Sequence, residues 1–134
     1  MNLYILNINS SYEHWLLNQK QHRLNKPSVT YYNGSQSWYQ YGELHRDDGP
    51  AVISANGDKR WYKYGKPHRN DRPAITYSNG AQLWYKNGEH HREDGPAVIS
   101  ANGNKRWYLN GEYYTEQNYL KEIANNAQNI KLIL

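Results

Sequence analysis

Histidine, arginine and aspartate stand side by side in this chain more than once, and in an enzyme these residue types perform acid–base chemistry. Residues 45–62 read HRDDGPAVISANGDKRWY, residues 91–108 read HREDGPAVISANGNKRWY, and the two stretches differ at only two positions. In a protein kinase His-Arg-Asp carries the catalytic base, but a kinase also needs a glycine-rich nucleotide loop and metal-binding partners, which this sequence lacks. Because an active site is normally built once, we interpret HRxDGP as a structural motif. We predict that the protein is not an enzyme and has no catalytic residues.

The histidines of this motif have the wrong spacing for a metal site. His22, His45, His68 and His91 recur with a period of 23 residues. If each period folds as two strands, at about 4.8 Å per strand, successive histidines lie roughly 10 Å apart. Zinc ligands instead converge on one ion at about 2.0–2.3 Å. The sequence therefore predicts neither a metal site nor a cofactor.

The elements that position this motif are predicted to be repeats. Asn-Gly and tryptophan recur with the same 23-residue period, the latter at Trp15, Trp38, Trp61, Trp84 and Trp107. Repeats two and four are nearly identical, and repeats one and three resemble each other more loosely. We predict one repeat domain over 1–134. It would comprise a degenerate first repeat (1–21), four repeats (22–44, 45–67, 68–90 and 91–113) and a C-terminal amphipathic helix (114–134).

Each repeat is predicted to be a β-hairpin. Asn-Gly between alternating runs is a strong hairpin signal, because both central residues of a type I′ turn need positive φ. The structural turn residues would then include Asn56, Gly57, Asn102 and Gly103. Two-residue turns give the cross-strand pairs Leu6/Trp15, Val29/Trp38, Val52/Trp61, Ile75/Trp84 and Val98/Trp107. HRxDGP would join one hairpin to the next, with its arginine paired to an acidic residue of the following loop.

The composition favours an all-β fold. The chain has 14 Tyr and 5 Trp but no Phe, and Tyr and Trp favour strands. We expect an elongated antiparallel meander of about five 23-residue β-hairpin repeats, with about ten strands and a C-terminal capping α-helix. The tryptophans are predicted to form the core of this thin protein.

The charge and the absence of targeting signals indicate the class of partner and the cellular location. The net charge is +4, which is compatible with an anionic partner but is no nucleic-acid signature by itself. There is no cysteine, so the sequence contains no disulfide framework. The N-terminal residues lack the pattern of a signal peptide, and no window resembles a membrane span. We therefore expect a cytoplasmic protein without a membrane partner, in the host cytoplasm if a phage encodes it.

The repeat pattern stops after residue 113, and a helical pattern follows. An apolar stripe at helical spacing is formed by Leu120, Ile123, Ala127, Ile130 and Leu134. Thr115 is the candidate N-cap residue. We favour a capping helix at one end of the sheet, since repeat proteins need terminal caps. The alternative is a helix that binds a partner or a second copy.

The pattern HRxDGPAVxxxNGxxxWYxNG resembles the divergent MORN-variant repeats of phage, giant-virus and bacterial proteins. The resemblance covers residues 15–112, but K-R-W-Y replaces the usual Y-x-G-x-W strand. It implies an elongated, twisted sheet with a binding or scaffolding role. It specifies no ligand.

Three functional hypotheses follow. The favoured one is a protein-binding module, such as a phage or viral accessory protein that inhibits a host nucleic-acid-handling defence complex, for example a CRISPR effector. The second is direct nucleic-acid binding by aromatic stacking beside Lys and Arg, as in single-strand binders. The third is a carbohydrate- or choline-binding array, because WYxNGxY also resembles choline-binding repeats.

The candidate binding residues are basic and aromatic residues of the predicted strands: Tyr39, Lys59, Arg60, Tyr62, Tyr85, Lys105, Arg106 and Tyr108. The two Lys-Arg pairs would form basic spots roughly 20 Å apart, at about 10 Å per repeat. The expected partner is a protein with an acidic surface or a nucleoprotein complex, with nucleic acid as the alternative. Homodimerisation is predicted to use a sheet edge or the C-terminal helix.

Overall fold

The computed structural model describes residues 4–133, and the other residues of the predicted first repeat and helix, including Leu134, lie outside the described residues. Residues 4–133 form eighteen short strands and one helix, α1 (Glu116–Ile133). The strands are β1 (Tyr4–Ile8), β2 (Tyr12–Leu17), β3 (Lys20–Gln21), β4 (Val29–Tyr31), β5 (Gln36–Ser37), β6 (Tyr39–Gln40), β7 (Glu43–Leu44), β8 (Val52–Ile53), β9 (Lys59–Arg60), β10 (Tyr62–Lys63), β11 (Lys66–Pro67), β12 (Ile75–Thr76), β13 (Gln82–Leu83), β14 (Tyr85–Lys86), β15 (Glu89–His90), β16 (Val98–Ile99), β17 (Lys105–Leu109) and β18 (Glu112–Tyr114).

One long antiparallel sheet runs through all the repeats. Its strand order is β1-β2-β4-β5-β8-β9-β12-β13-β16-β17-β18, with β3 also paired to β2. Consecutive hairpins therefore lie side by side, and α1 follows the last strand. The predicted all-β antiparallel meander with a C-terminal helix is confirmed.

A second row of hairpins, which the sequence interpretation missed, lies beside the main sheet. It consists of the pairs β6-β7, β10-β11 and β14-β15. Neighbouring members are tied together, since Gly65 N–H donates to the Leu44 carbonyl oxygen at 2.9 Å and Gly88 N–H donates to that of Pro67. The turns of this row have positive φ at both central residues, for example Tyr64 (48°) and Gly65 (76°). The turn type predicted for Asn-Gly thus occurs here.

The Asn-Gly loops of the main sheet have three residues instead of two. Ser54 N–H donates to the Asp58 carbonyl oxygen at 2.9 Å, which encloses 55–57. Only Gly57 of this loop has positive φ (94°). Three-residue hairpins commonly place glycine at this left-handed position.

The extra loop residue shifts the register by one, so most of the predicted cross-strand pairs were wrong. In the central repeats Val52 lies opposite Arg60 and Ile53 opposite Lys59. The same shift gives the observed pairs Val29/Ser37, Ile75/Leu83 and Val98/Arg106. Leu6/Trp15 was correct, because the first hairpin has a genuine two-residue turn. A shift of one residue exchanges the two faces of a strand.

The tryptophans join the two rows of hairpins. The backbone N–H groups of Trp38, Trp61 and Trp84 each donate at 2.7 Å to an alanine carbonyl oxygen of the following repeat. Those alanines (Ala51, Ala74 and Ala97) are fully buried. Trp38 and Trp84 are buried, whereas Trp15, Trp61 and Trp107 are half-buried. The four turn residues Asn56, Gly57, Asn102 and Gly103 are exposed along one edge of the sheet.

The helix packs through a residue that the predicted stripe did not include. Thr115 Oγ1 accepts a hydrogen bond from Asn118 N–H at 3.3 Å, as expected of an N-cap residue. Tyr119 is the buried residue of the helix, whereas Leu120 and Ile130 are exposed. Ile123 is half-buried and lines a groove of about 280 Å³ between the helix and the last hairpin. Three residues of the predicted stripe, Ile123, Ala127 and Ile130, therefore line this open groove instead of a closed core.

Candidate binding surface

The HRxDGP motifs make contacts within the scaffold. Arg46 lies over the ring of Trp38, with Cζ 3.9 Å from the ring centroid. Its Nη1 donates to the Pro50 carbonyl oxygen at 3.2 Å, and its Nε donates to Asp48 Oδ1 at 2.9 Å. Arg92 repeats these contacts in the fourth repeat. The arginine thus pairs with an acid of its own loop, not of the following one, because the turn folds that acid back onto the guanidinium.

The glycine of the motif leaves room for this arginine. A Cβ atom at Gly49 would lie 2.9 Å from Arg46 Cζ, too close for a packed interior. In repeat 68–90 this glycine is replaced by Arg72, and the preceding Asp71 has a positive φ of 57°. The alternation of two repeat types in the sequence therefore corresponds to two backbone forms of the loop.

The histidines of the motif also serve the scaffold. His45 is buried, and its Nδ1 accepts a hydrogen bond from Tyr64 N–H at 3.1 Å. The other three histidines repeat this bond to the second hairpin of their own repeats: His22, His68 and His91. Within residues 4–133, no three His, Cys, Asp or Glu side chains cluster as metal ligands would. The recurrence of the motif is explained by backbone hydrogen bonding.

These hydrogen bonds predict acid sensitivity. Burial lowers the pKa of His22 below its usual value of 6.5, and protonation of its Nδ1 would break the bond from Tyr41 N–H. As the pH falls below 6.5, the unfolded chain binds the proton first, so the free energy of unfolding decreases. The melting temperature, measured by circular dichroism, should therefore decrease as the pH is lowered below 6.5.

The matched control is His22→Asn, which keeps an acceptor in place without a titrating group. Its melting temperature should depend less steeply on pH than that of the wild type. Identical pH profiles for the two proteins would contradict a role for His22.

Four of the candidate residues form a continuous tyrosine ladder: Tyr39, Tyr62, Tyr85 and Tyr108. All four are half-buried, and each lies at the corresponding position of its repeat. Burial, followed by neighbouring Tyr31 and Tyr62, raises the pKa of Tyr39. Burial, followed by Tyr77, Tyr62 and Tyr108, raises the pKa of Tyr85. A tyrosine of a neighbouring repeat is thus among the causes of each raised pKa, as expected for side chains in one row.

His90 extends this ladder and was missed from the sequence. Its ring stacks on Tyr85 with centroids 4.0 Å apart and lies 5.0 Å from Tyr108. Burial lowers the pKa of His90, which favours the neutral ring. Leu44 and Pro67 occupy the corresponding positions of two other repeats. Tyr113 occupies that of the last hairpin, where its ring lies 5.6 Å from Tyr108, so the signal in the sequence was an aromatic residue at two of these positions.

The predicted basic spots are divided between the two faces of the main sheet. Arg60 pairs with Val52 and Ile75, whereas Lys59 pairs with Ile53 and Thr76. Side chains alternate between faces along a strand, so the two neighbours point in opposite directions. The same alternation separates Lys105 from Arg106, which pair with Ile99 and Val98 respectively. Each of the two basic spots that the sequence predicted therefore presents one cation to each face of the sheet.

The arginines lie on the face of the tyrosine ladder. Tyr77 follows Ile75 by two residues and so shares its face with Arg60, whose Cζ lies 5.9 Å from the Tyr77 ring centroid. Tyr77 in turn neighbours Tyr85 of the ladder. Arg106 occupies the same row four strands further on, about 19 Å away at roughly 4.8 Å per strand. We call the ladder with Arg60 and Arg106 the Tyr–Arg face.

Arg60 is partly exposed and lies far from an ideal ion-pair distance to any described carboxylate. Its nearest carboxylate is Asp58, with Arg60 Nη2 and Asp58 Oδ2 4.0 Å apart, and its buried Nε has no hydrogen-bond partner within the described structure. Asp58 is engaged elsewhere, because its Oδ1 accepts from Ser78 N–H at 2.8 Å and its Oδ2 from Asn56. The pKa of Asp58 is lowered mainly by the Ser78 hydrogen bond. Because Nε is buried, an external carboxylate or phosphate would bind the Nη atoms of this side chain, which is 37% exposed.

Comparison with known proteins gives no match to a family model, a curated protein or a solved structure. The likeness to MORN-variant repeats therefore depends on the quoted motifs and stays a prediction. In the part of the chain that the structure describes, α1 is not apolar enough over a sufficient length to cross a membrane.

Proposed function

We propose that this chain is a non-enzymatic protein-binding module that binds an acidic partner through the Tyr–Arg face. The observation that supports this proposal most directly is the position of Arg60 beside the tyrosine ladder, with its side chain 37% exposed and its nearest carboxylate 4.0 Å away. A second arginine, Arg106, is exposed in the same row. The surface thus offers two cations about 19 Å apart along an aromatic strip, at roughly 4.8 Å per strand.

The chemistry of this face suits protein recognition. Tyrosine and arginine are enriched in protein interfaces and in their energetic hot spots. The ladder tyrosines are already held between neighbouring repeats, so binding them costs little side-chain entropy. Arginine pairs with carboxylates through two parallel hydrogen bonds. An acidic segment crossing the strands would contact Arg60, the tyrosines and Arg106 in turn.

The decisive experiment compares two charge reversals of equal size on opposite faces. Arg60→Glu with Arg106→Glu should abolish capture of the partner from a host lysate. Lys59→Glu with Lys105→Glu, on the other face, should leave capture largely intact. Both variants have the same net charge, and circular dichroism would verify that both are folded. Equal loss in the two variants would refute a binding site on the Tyr–Arg face.

Salt and nuclease treatment separate the chemical classes of partner. Binding through exposed charges should weaken as salt rises, because charges are screened over about 10 Å at 0.1 M salt. Capture that persists after nuclease treatment identifies a protein partner. Capture lost with nuclease, together with binding of a labelled single-stranded oligonucleotide by the purified protein, would favour the second candidate, nucleic-acid binding by stacking on the tyrosines.

A further inference from the structure

The two ends of the main sheet differ, because one is joined to a helix and the other ends in an exposed strand. At one end the last hairpin is joined to α1, whose Tyr119 hydroxyl donates to the Arg92 carbonyl oxygen at 2.8 Å. At the other end β1 pairs only with β2 among residues 4–133. All five residues of β1 are exposed, including the large apolar side chains Tyr4, Ile5, Leu6 and Ile8.

The hydrogen bonds of the first hairpin show which groups of β1 point outward. Asn9 N–H donates to the Tyr12 carbonyl oxygen at 3.1 Å, so hydrogen-bonded pairs alternate from this turn. Trp15, opposite Leu6, instead directs its N–H to Ser28 at 2.7 Å, away from β1. Leu6 is therefore in a non-hydrogen-bonded pair, and its N–H and C=O face the open edge. The same holds two residues away on either side, at Tyr4 and Ile8.

We propose that β1 pairs in antiparallel fashion with β1 of a second copy, about a twofold axis at Leu6. Leu6 then lies opposite Leu6 of the second copy, and Tyr4 lies opposite its Ile8. The outward groups of these three residues match, so each pair exchanges both hydrogen bonds, giving about six in all. The two main sheets would become one continuous sheet.

The side chains agree with this register. Tyr4, Leu6 and Ile8 alternate with Ile5 and Asn7 and so share one face of the strand. Across the axis Tyr4 meets Ile8, an aromatic against a β-branched residue, which stabilises a sheet by about 0.2–1 kcal/mol per pair. The apolar row then continues through Leu6 to Trp15 in both copies.

A second copy fits this edge because no residue of β1 or its turn opposes pairing of β1 with itself. Residues 4–11 contain no charged residue and no proline, the usual devices that protect an edge strand. A closed twofold dimer uses the edge once in each copy and leaves no further strand exposed there. The interface is a single strand pair, so the dimer belongs to the small, weak class and forms as protein concentration rises.

The test substitutes Leu6, the residue that lies on the proposed twofold axis. Leu6→Lys places two lysines directly opposite each other, as Leu6→Glu does with two glutamates, and like charges there destabilise pairing. Each variant alone should sediment as a monomer at concentrations where the wild type dimerises. An equal mixture of the two should recover the dimer, because unlike charges then meet.

The matched control is Asn7→Lys, which adds the same charge one residue away. Its lysine faces Ile5 of the second copy instead of another lysine, so dimerisation should be weakened far less. Leu6→Pro gives an independent check, because it removes only an outward N–H and should abolish the dimer while the fold is kept. A wild type that stays monomeric at high concentration, or a dimer that survives both Leu6→Lys and Leu6→Pro, would overturn the proposal.

Discussion

Replacement of Trp84 by alanine is expected to lower the free energy of unfolding by about 3–5 kcal/mol, the usual cost of truncating a buried aromatic side chain. Trp84 is only 8% exposed, and the guanidinium of Arg92 lies over its ring at 3.9 Å. Truncation would remove the ring and also expose one face of that cation. Because such domains are stable by only about 5–15 kcal/mol, urea denaturation should reveal a large decrease in the midpoint.

Trp107→Ala is the matched control. Trp107 holds the corresponding position of the last repeat but is half-buried, and Thr115 replaces the arginine that would stack on it. The expected loss is less than half of that for Trp84→Ala. Equal losses for the two variants would contradict the view that the central Arg–Trp stacks hold the repeats together.

Replacement of Tyr119 by alanine is expected to release α1 from the sheet. Tyr119 is 2% exposed. Its hydroxyl donates to the Arg92 carbonyl oxygen at 2.8 Å and accepts from Gly95 N–H at 3.1 Å. The loss should again be about 3–5 kcal/mol for the docked helix. Since an isolated helix of this length is marginal in water, far-UV circular dichroism should also show reduced helix content.

The neighbouring residue offers the control for this prediction. Leu120, which the sequence placed in the apolar stripe, is 58% exposed, so Leu120→Ala should change stability by less than about 0.5 kcal/mol. Tyr119→Phe should fall between the two, because only the hydroxyl bonds are lost. If Leu120→Ala proved as harmful as Tyr119→Ala, the helix would dock through the predicted stripe instead.

Local patterns in the sequence were sufficient to predict the fold class. The 23-residue period, the recurring Asn-Gly and the strand-forming residues predicted antiparallel hairpins, because these signals act over a few residues. The helix and its N-cap at Thr115 were predictable for the same reason. The positions of the ladder tyrosines, once per repeat, also followed from the period.

The register depended on the length of the Asn-Gly loops, which the Asn-Gly signal alone does not decide. Asn-Gly suits a two-residue turn, yet the loop at 55–57 has three residues. Asp58 closes this loop with its own carbonyl oxygen, and its side chain accepts from Ser78 N–H, twenty residues further along. The same three-residue loop also closes at Ala81, which has no side-chain acceptor, and at Asn104 of the last repeat. In these loops the Asn side chain accepts a hydrogen bond from the N–H two residues further on, which fixes the longer loop locally.

The loop length also decided which residues lie across the strands from the candidate site. The sequence by itself determined that adjacent strand residues point to opposite faces, so Lys59 and Arg60 could not both join the tyrosines. Alternation also places Arg60 on the face of Tyr62, two residues further on. Only the tertiary structure decided the neighbour across the strands, because the three-residue loop places Arg60 opposite Val52. Likewise the helical period showed that one side of α1 is apolar, but Tyr119 docks because Arg92 and Gly95 of the last connecting loop lie within its reach. Asn side-chain hydrogen bonds within the loops set the register, and hydrogen bonds from Tyr119 to residues distant in sequence set how the helix docks.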